Sequence, residues 1–341
     1  MKRKTMVALA IVTIVMAAAI VALLNQSLGG ISEGAKIYVD PPIVMEETRQ
    51  PPFTFHIYIA VYNVTNMVSC EFNMSYTPGI FVLNQINKIK VQDQYPALYT
   101  NADDVKGYVH VKLTYGQPIT LLGESAQLLD IEFTAINYGS TTLDLHDVLI
   151  KDKDGNTIPC TVEDGFVWII KHDIAIIDCI VSTNATYVNR LVYINVTAKN
   201  EGNIAENITI KICANDQIIA TPSIANLGSG ETVTVAVTWN TSSCTPSLTP
   251  YQIKAEADQV PYETNLTNNI FIDGNITIKI VGDVNGDGTV DIEDLGLWDA
   301  AYGSSPSDPN WNSQADINGD GVVDKEDGIL IIRNYKSSLA P

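Results

Sequence analysis

Basic residues are scarce in this chain of 341 residues: 20 Lys and Arg stand against 39 Asp and Glu, a formal charge of −19. A phosphate backbone is held by a basic face, so this balance argues against nucleic acid as a partner. Such a charge suits a self-repelling surface or a cation-binding protein. Histidine is sparse, at four residues, and the five cysteines are scattered, with no Cys-x-x-Cys and no His-Glu-x-x-His. That argues against zinc sites and zinc proteases. Gly-x-Ser-x-Gly is missing too, and His56, His110, His146 and His172 stand in no triad context. Carboxylates are plentiful, yet nothing marks two of them as a glycosidase pair. Charged residues make up only 17% against 46% hydrophobic, too apolar for a disordered chain and enough for real cores. The length allows two or three domains, and no catalytic residue is assigned.

What is present begins with Lys2, Arg3 and Lys4, followed by nineteen residues, Met6 to Leu24, whose only polar member is Thr13. A positive flank, an apolar run and the polar Asn25-Gln26-Ser27 read as a secretory signal or an N-terminal membrane anchor over residues 1–30. As helix the run spans about 28 Å, close to a bilayer core. Ala17, Ala18, Ala19 and Ala22 allow cleavage, so both readings stand. Either places the rest of the chain outside the cytoplasm, extracellular or on the cell surface.

Nine Asn-x-Ser/Thr sequons occur among 27 Asn, where about four are expected by chance. Beside the one at Asn25 they lie at Asn63, Asn73, Asn184, Asn195, Asn207, Asn240, Asn265 and Asn275, the glycosylation candidates. Asn195, Asn207 and Asn275 fall on the polar phase of their strands.

Residues 36–170 read as an all-β module. His56–Val61, Tyr108–Thr114, Leu128–Ala135, Thr142–Val148 and Phe166–Ile170 are short β-branched or aromatic runs separated by turn residues. Val109, Val111 and Leu113 share one face while His110 and Lys112 take the other, the mark of a sheet buried on one side. Residues 173–280 repeat the signature: Val192, Ile194 and Val196, then Ile208, Ile210 and Ile212, then Val233, Val235, Val237 and Trp239, then Ile276, Ile278 and Ile280 face inward. About seven strands in this span make an immunoglobulin-like sandwich. Cys213 ends one strand and Cys244 follows another at the same end of that sandwich, so they form the first disulfide candidate, with Cys70–Cys160 the second. The alternative is that all five are small buried hydrophobes.

The chemistry lies in the last sixty residues. Residues 283–294 and 316–327 are two twelve-residue loops offset by 33, and about half of the twenty positions from each loop's start are identical. Such self-similarity means one unit used twice. A hard cation such as Ca²⁺ takes six to eight oxygens at about 2.3–2.6 Å. Positions 1, 3 and 5 bear oxygen: Asp283, Asn285 and Asp287, then Asp316, Asn318 and Asp320. Gly288 and Gly321 at position 6 permit a sharp turn. Position 7 offers the carbonyl of Thr289 or Val322, and position 9, Asp291 or Asp324, a contact through water. Position 12 is Asp294 or Asp327, one methylene shorter than the Glu of an EF-hand, so the loop must close tighter. Val290 and Val323 at position 8 pair the loops or seal the core. Residues 281–341 carry 12 acidic and 3 basic groups, and two Ca²⁺ would relieve their repulsion. The helix-like runs Leu295–Tyr302 and Ile329–Tyr335 are too short to stand alone, so metal and mutual packing must hold them. Gly328, where the first repeat has Leu295, should weaken the second helix by about 1 kcal/mol and remove an apolar contact.

Three family resemblances follow from these residues. Glu71 through Phe81, with Leu128 through Phe133, resembles the cohesin-type jelly roll, although Thr77 stands where that family usually has Asp. Asn195 through Gly202, Leu227 through Thr232 and Glu263 through Asn269 resemble the CARDB module, associated with surface adhesion or spacing. Residues 281–338, with Gly282, both loops, Pro306, Pro309 and Trp311, resemble the type I dockerin. That resemblance implies two bound Ca²⁺ and docking onto a cohesin-type protein through loop positions 10 and 11, here Ile292, Glu293, Lys325 and Glu326. Ile292 and Lys325 differ in chemistry, which makes the two docking faces unequal. The expected fold class is mainly β: two β-sandwiches, the first a cohesin-like jelly roll and the second Ig-like, then a small α-helical calcium-binding module. The expected function is a non-catalytic exported assembly or adhesion protein, joined to a cohesin-type partner or to another copy of itself. The alternative is a carbohydrate-binding or polysaccharide-degradation accessory mounted through its dockerin.

Overall fold

The computed structural model describes residues 34–339. The apolar run read as signal or anchor lies outside the described residues; among these, no helix is long and apolar enough to cross a membrane. The chain divides into two compact units, with the division between Lys171 and His172.

The first unit is a β-sandwich. Its strands are β1 (Ala35–Asp40), β2 (Ile43–Glu46), β3 (Phe53–Tyr62), β4 (Met67–Ser75), β5 (Phe81–Lys88), β6 (Ala97–Asp103), β7 (Tyr108–Ile119), β8 (Ser125–Ala135), β9 (Gly139–Asp152), β10 (Cys160–Glu163) and β11 (Gly165–Ile169). One sheet has the order β10-β1-β3-β8-β5 and the other β2-β11-β9-β4-β7-β6. The pairings are antiparallel except β1 with β10 and β2 with β11, where the chain passes from one sheet to the other. Alternation sets the core: Val109, Val111 and Leu113 are fully buried on β7, beside Phe72 and Met74 of the neighbouring β4 and in one cluster with Phe133 of β8. Phe81 and Phe133 meet at 4.7 Å between ring centroids, and Phe55 stacks on Phe133 at 5.6 Å. At Gly165 an added Cβ would lie 2.6 Å from Val39, so the crossing of β11 over β1 admits no side chain.

The second unit opens with a sandwich of β12 (Ile174–Val181), β13 (Ala185–Tyr187), β14 (Leu191–Asn200), β15 (Glu206–Ala214), β16 (Gln217–Ala220), β17 (Ser223–Leu227), β18 (Thr232–Asn240), β19 (Tyr251–Ala257) and β20 (Ile270–Lys279). The sheets are β12-β14-β18 and β13-β20-β19-β15-β16, with β17 added on β15. Val192, Ile194, Val196, Ile208, Ile210, Ile212, Ile276 and Ile278 are buried at their inner faces, as their spacing requires. The polar stretches have local duties. The buried Asn200 donates Nδ2 to the carbonyls of Ile204 and Leu227, and its Oδ1 accepts from Gly202 N. The buried Glu263 accepts from Ile174 N at 2.6 Å, Val260 N at 3.0 Å and Asn269 Nδ2 at 2.9 Å. Glu263→Ala would strand those donors in the interior, so a loss of about 2–4 kcal/mol is expected in chemical denaturation.

The expected disulfides are not formed: all five cysteines are free thiols. Cys244 packs against the second core, whereas Cys213 lies between Ile212 and Ala214, which point into that core, and therefore on the other face of β15. Cys70 is fully buried in the first core and Cys160 packs at its edge, both accommodated as small hydrophobes. Burial pushes the thiol pKa of each pair member upward.

Two helices complete the second unit, α1 (Ile292–Ala301) and α2 (Lys325–Asn334). Both begin several residues before the apolar runs that marked them. Asp291 and Asp324 act as N-caps, each accepting from the backbone N–H two residues on, and Asp294 and Asp327 close capping boxes.

Candidate metal centre

The two acidic loops fold alike. In the first, Asp283 Oδ1 accepts from Gly286 N at 2.7 Å and its Oδ2 from Gly288 N at 3.1 Å. In the second, Asp316 makes the same pair with Gly319 N at 2.7 Å and Gly321 N at 3.0 Å. Asn285 and Asn318 each donate Nδ2 to the position-5 carboxylate, Asp287 or Asp320. Asp294 accepts from Val284, Asn285 and Asp291, and Asp327 from Asn318 and Asp324. The last residue of each loop thus reaches back over its start. Gly288 and Gly321 adopt φ of +91° and +89°, where a side chain would be strained.

Val290 and Val323 are fully buried, but they do not pair with each other. Val290 exchanges backbone bonds with Lys336 and Ser337 beyond α2, and Val323 with Gly303 and Ser304 beyond α1. Each loop is clasped by the chain leaving the other repeat's helix. Val284, Val290, Ala301, Ala315, Ile317, Val323 and Ile331 form the buried centre.

The candidate donors are all oxygen: four Asp, one Asn and a main-chain carbonyl per loop. Asp283, Asp294 and Asp327 are almost wholly buried. Burial raises the pKa of Asp283 and of Asp327, since a carboxylate away from water favours its neutral form. Backbone N–H from Thr289 lowers that of Asp287. Lys279, 4% exposed, places Nζ 3.3 Å from the Val284 carbonyl, and desolvation pushes its pKa down to about 8 despite Asp283 and Asp294 nearby. Among the described residues no three His, Cys, Asp or Glu side chains gather at metal-binding range. The carboxylates are spread along each loop and knitted to its backbone. Oxygens of this kind and number fit a hard cation and do not fit a soft one.

Ile292, Glu293, Lys325 and Glu326 are exposed in the first turns of the helices. The exposed apolar surface goes further than those four. Leu297 and Tyr302 on or just after α1, and Ile329, Ile332 and Tyr335 on or just after α2, are also exposed, Ile332 by 64%. Helical periodicity holds this signal, since Ile329 and Ile332 lie one turn apart.

Residues 281–335 match the dockerin type I domain. Residues 171–273 match CARDB. No curated protein matches the chain. Among solved structures, a non-cellulosomal cohesin from Archaeoglobus fulgidus is similar at 14% identity and TM-score 0.35, covering 40% of this chain and 92% of that one. A type I cohesin–dockerin complex from Clostridium thermocellum is similar at 16% and 0.35, covering 40% of this chain and 100% of that one. A type I cohesin from Pseudobacteroides cellulosolvens is similar at 14% and 0.31, covering 40% and 92%.

In the dockerin segment, Gly328 has a purpose that helix propensity hides. A Cβ there would lie 2.6 Å from the Trp298 ring, and that ring is pinned by its Nε1 donating to the Asp324 carbonyl at 2.8 Å. The missing apolar contact is replaced by the indole of Trp298. Gly328→Ala is therefore expected to cost about 1–3 kcal/mol through overpacking, against the gain of about 1 kcal/mol that propensity alone promises. Thermal unfolding of the variant checks the sign.

Elsewhere the structure gathers residues that the sequence left apart. Ser75 Oγ lies 2.9 Å from His146 Nε2, and His146 Nδ1 lies 2.9 Å from Asp147 Oδ2. They stand on the outer face of the first sandwich, where Asp147 is 73% exposed. Asn73 joins the same row, donating to Asp147 and accepting from Tyr108 and His110. With its orienting carboxylate in solvent and shared with Asn73, the row is a surface hydrogen-bond network. Of the sequon residues, Asn184, Asn195, Asn207, Asn240, Asn265 and Asn275 are exposed, whereas Asn63 and Asn73 are half-buried.

Proposed function

We propose that this protein is an exported, non-catalytic assembly module that docks onto a cohesin-type partner when two Ca²⁺ fill its C-terminal loops. The observation that carries the reading is the duplicated loop, whose oxygens at positions 1, 3, 5 and 12 repeat in register and lead straight into helices with exposed apolar faces. The ligands of the first ion would be Asp283, Asn285, Asp287, the Thr289 carbonyl, Asp294 and, through water, Asp291. Those of the second would be Asp316, Asn318, Asp320, the Val322 carbonyl, Asp327 and Asp324. The cation supplies charge compensation; the chain supplies the cradle and the two docking faces. Ile292 with Glu293, and Lys325 with Glu326, would contact the partner, with Leu297, Ile329 and Ile332 extending the contact. The exposed sequons of the second unit suit an extracellular glycoprotein.

The first sandwich would give a second copy of the chain somewhere to dock, a head-to-tail contact that can propagate. Light scattering tests this: calcium should produce oligomers that a chelator dissolves, and a calcium-independent monomer would refute self-assembly. A second reading, carbohydrate binding by the first sandwich, is favoured by the exposed Tyr99 beside His110 and the polar row around Asn73. Glycan-array binding by the full chain, lost in Tyr99→Ala, would support it.

A further inference from the structure

The dockerin segment has only a small core of its own. Its seven buried apolar side chains include two alanines, a sparse centre for a domain of about 55 residues. An eighth member belongs to the sandwich: Tyr187 of β13, 4% exposed, has its ring in that same cluster. Its hydroxyl lies 2.5 Å from the Gln314 carbonyl and 3.3 Å from the Asp283 carbonyl. A phenol has one proton, so it is given chiefly to Gln314 and shared with Asp283. One hydroxyl thus ties the first residue of one loop to the approach of the other.

Two cations of the sandwich add to this grip. Arg190, three residues beyond Tyr187, donates Nη1 to the carbonyl of Asn318 at position 3 of the second loop. The guanidinium lies so close to Gly319 that any Cβ there would meet it. Lys279, at the end of β20, sits 4.6 Å from the Tyr187 ring centroid and reaches the Val284 carbonyl in the first loop. Gly288 of that loop packs near Leu248. Each loop is therefore held by a sandwich side chain that bonds to its main chain rather than to its carboxylates.

We infer that the Ig-like sandwich completes the dockerin segment, with Tyr187 and Arg190 as positioning residues that hold both loops in the cation-binding conformation. The inference rests on the calcium reading above for its metal-affinity arm alone. Its consequence is that cation uptake and the order of residues 185–190 are one coupled event. The boundary near residue 280 is then a change of secondary structure rather than a division between independent folding units.

The test uses the full chain, with calcium alone as the probe, followed by calorimetric titration and by amide hydrogen exchange in a chelator. Arg190→Gln should weaken one of two uptake steps about tenfold and spare the other, and Arg190→Lys should restore part of it. Tyr187→Phe, which keeps the ring, should weaken both. In the chelator Tyr187→Phe should also lose protection at the Val290 and Val323 amides while β14 and β15 keep theirs. Wild-type affinities in both variants would overturn the inference. If the parent chain took up no calcium, the calcium reading would fail by itself. The exchange arm would still decide: lost protection at Val290 and Val323 supports the latch, and unchanged protection refutes it.

Discussion

Asp294→Ala is expected to remove one of the two calcium ions and to unravel the first loop even without metal. Asp294 is fully buried and accepts from three backbone N–H groups, those of Val284, Asn285 and Asp291. It also closes the capping box of α1 with Asp291. Alanine would leave these donors without their acceptor, the Val284 N–H buried and the other two partly buried, at about 1–3 kcal/mol for the buried one and less for the others. Some relief comes from water entering the loop, so a loss of about 4 kcal/mol is a fair scale for the whole change. The matching substitution, Asp327→Ala, should do the same to the second loop. Calorimetric stoichiometry reads the result directly: two ions in the parent, one in each variant. Retention of two ions by Asp294→Ala would remove this residue from the ligand set.

Withdrawal of calcium should have a still larger effect, confined to the second unit. A site holding its ion at a hundredfold excess over Kd adds about 2.7 kcal/mol to the folded state. Two such sites add roughly 5 kcal/mol, which in a unit of this size corresponds to a fall in Tm of about 10–20 °C on chelation. The first unit holds neither loop and should not respond. Scanning calorimetry with calcium and with a chelator therefore should show two transitions of which one moves. The latch from Tyr187 and Arg190 predicts that the moving transition includes the Ig-like sandwich along with the helices. A transition limited to the helices would separate the calcium reading from the latch.

Much of this fold is legible in the sequence where the physics is local. Alternation of Val192, Ile194 and Val196 with Tyr193, Asn195 and Thr197 suffices to place a strand and its inner face, because side chains on a strand point to opposite sides in turn. The loops are legible for the same reason: the turns at Gly288 and Gly321 and the bonds from Asp283 and Asp316 join residues no more than five apart. The early starts of α1 and α2 are legible as well, because Asp291 with Asp294 and Asp324 with Asp327 have the spacing of a capping box as well as of ligands. The cysteines were not. Cys213 lies on β15 outside the core that Cys244 packs against, and which face of a strand a cysteine takes is not written in its spacing from another.

By itself the sequence determined that this chain forms two one-sided β modules and a duplicated acidic loop. Alternation, turn residues and loop spacing act over a dozen residues or fewer, so they are written where they act. Tertiary structure alone decided that Gly328 must be bare to admit Trp298, that Ser75, His146 and Asp147 meet, and that Tyr187 enters the core of a module about a hundred residues further on. Those outcomes depend on which surfaces come together when the sheets close, and packing between distant segments leaves no periodic trace in either of them.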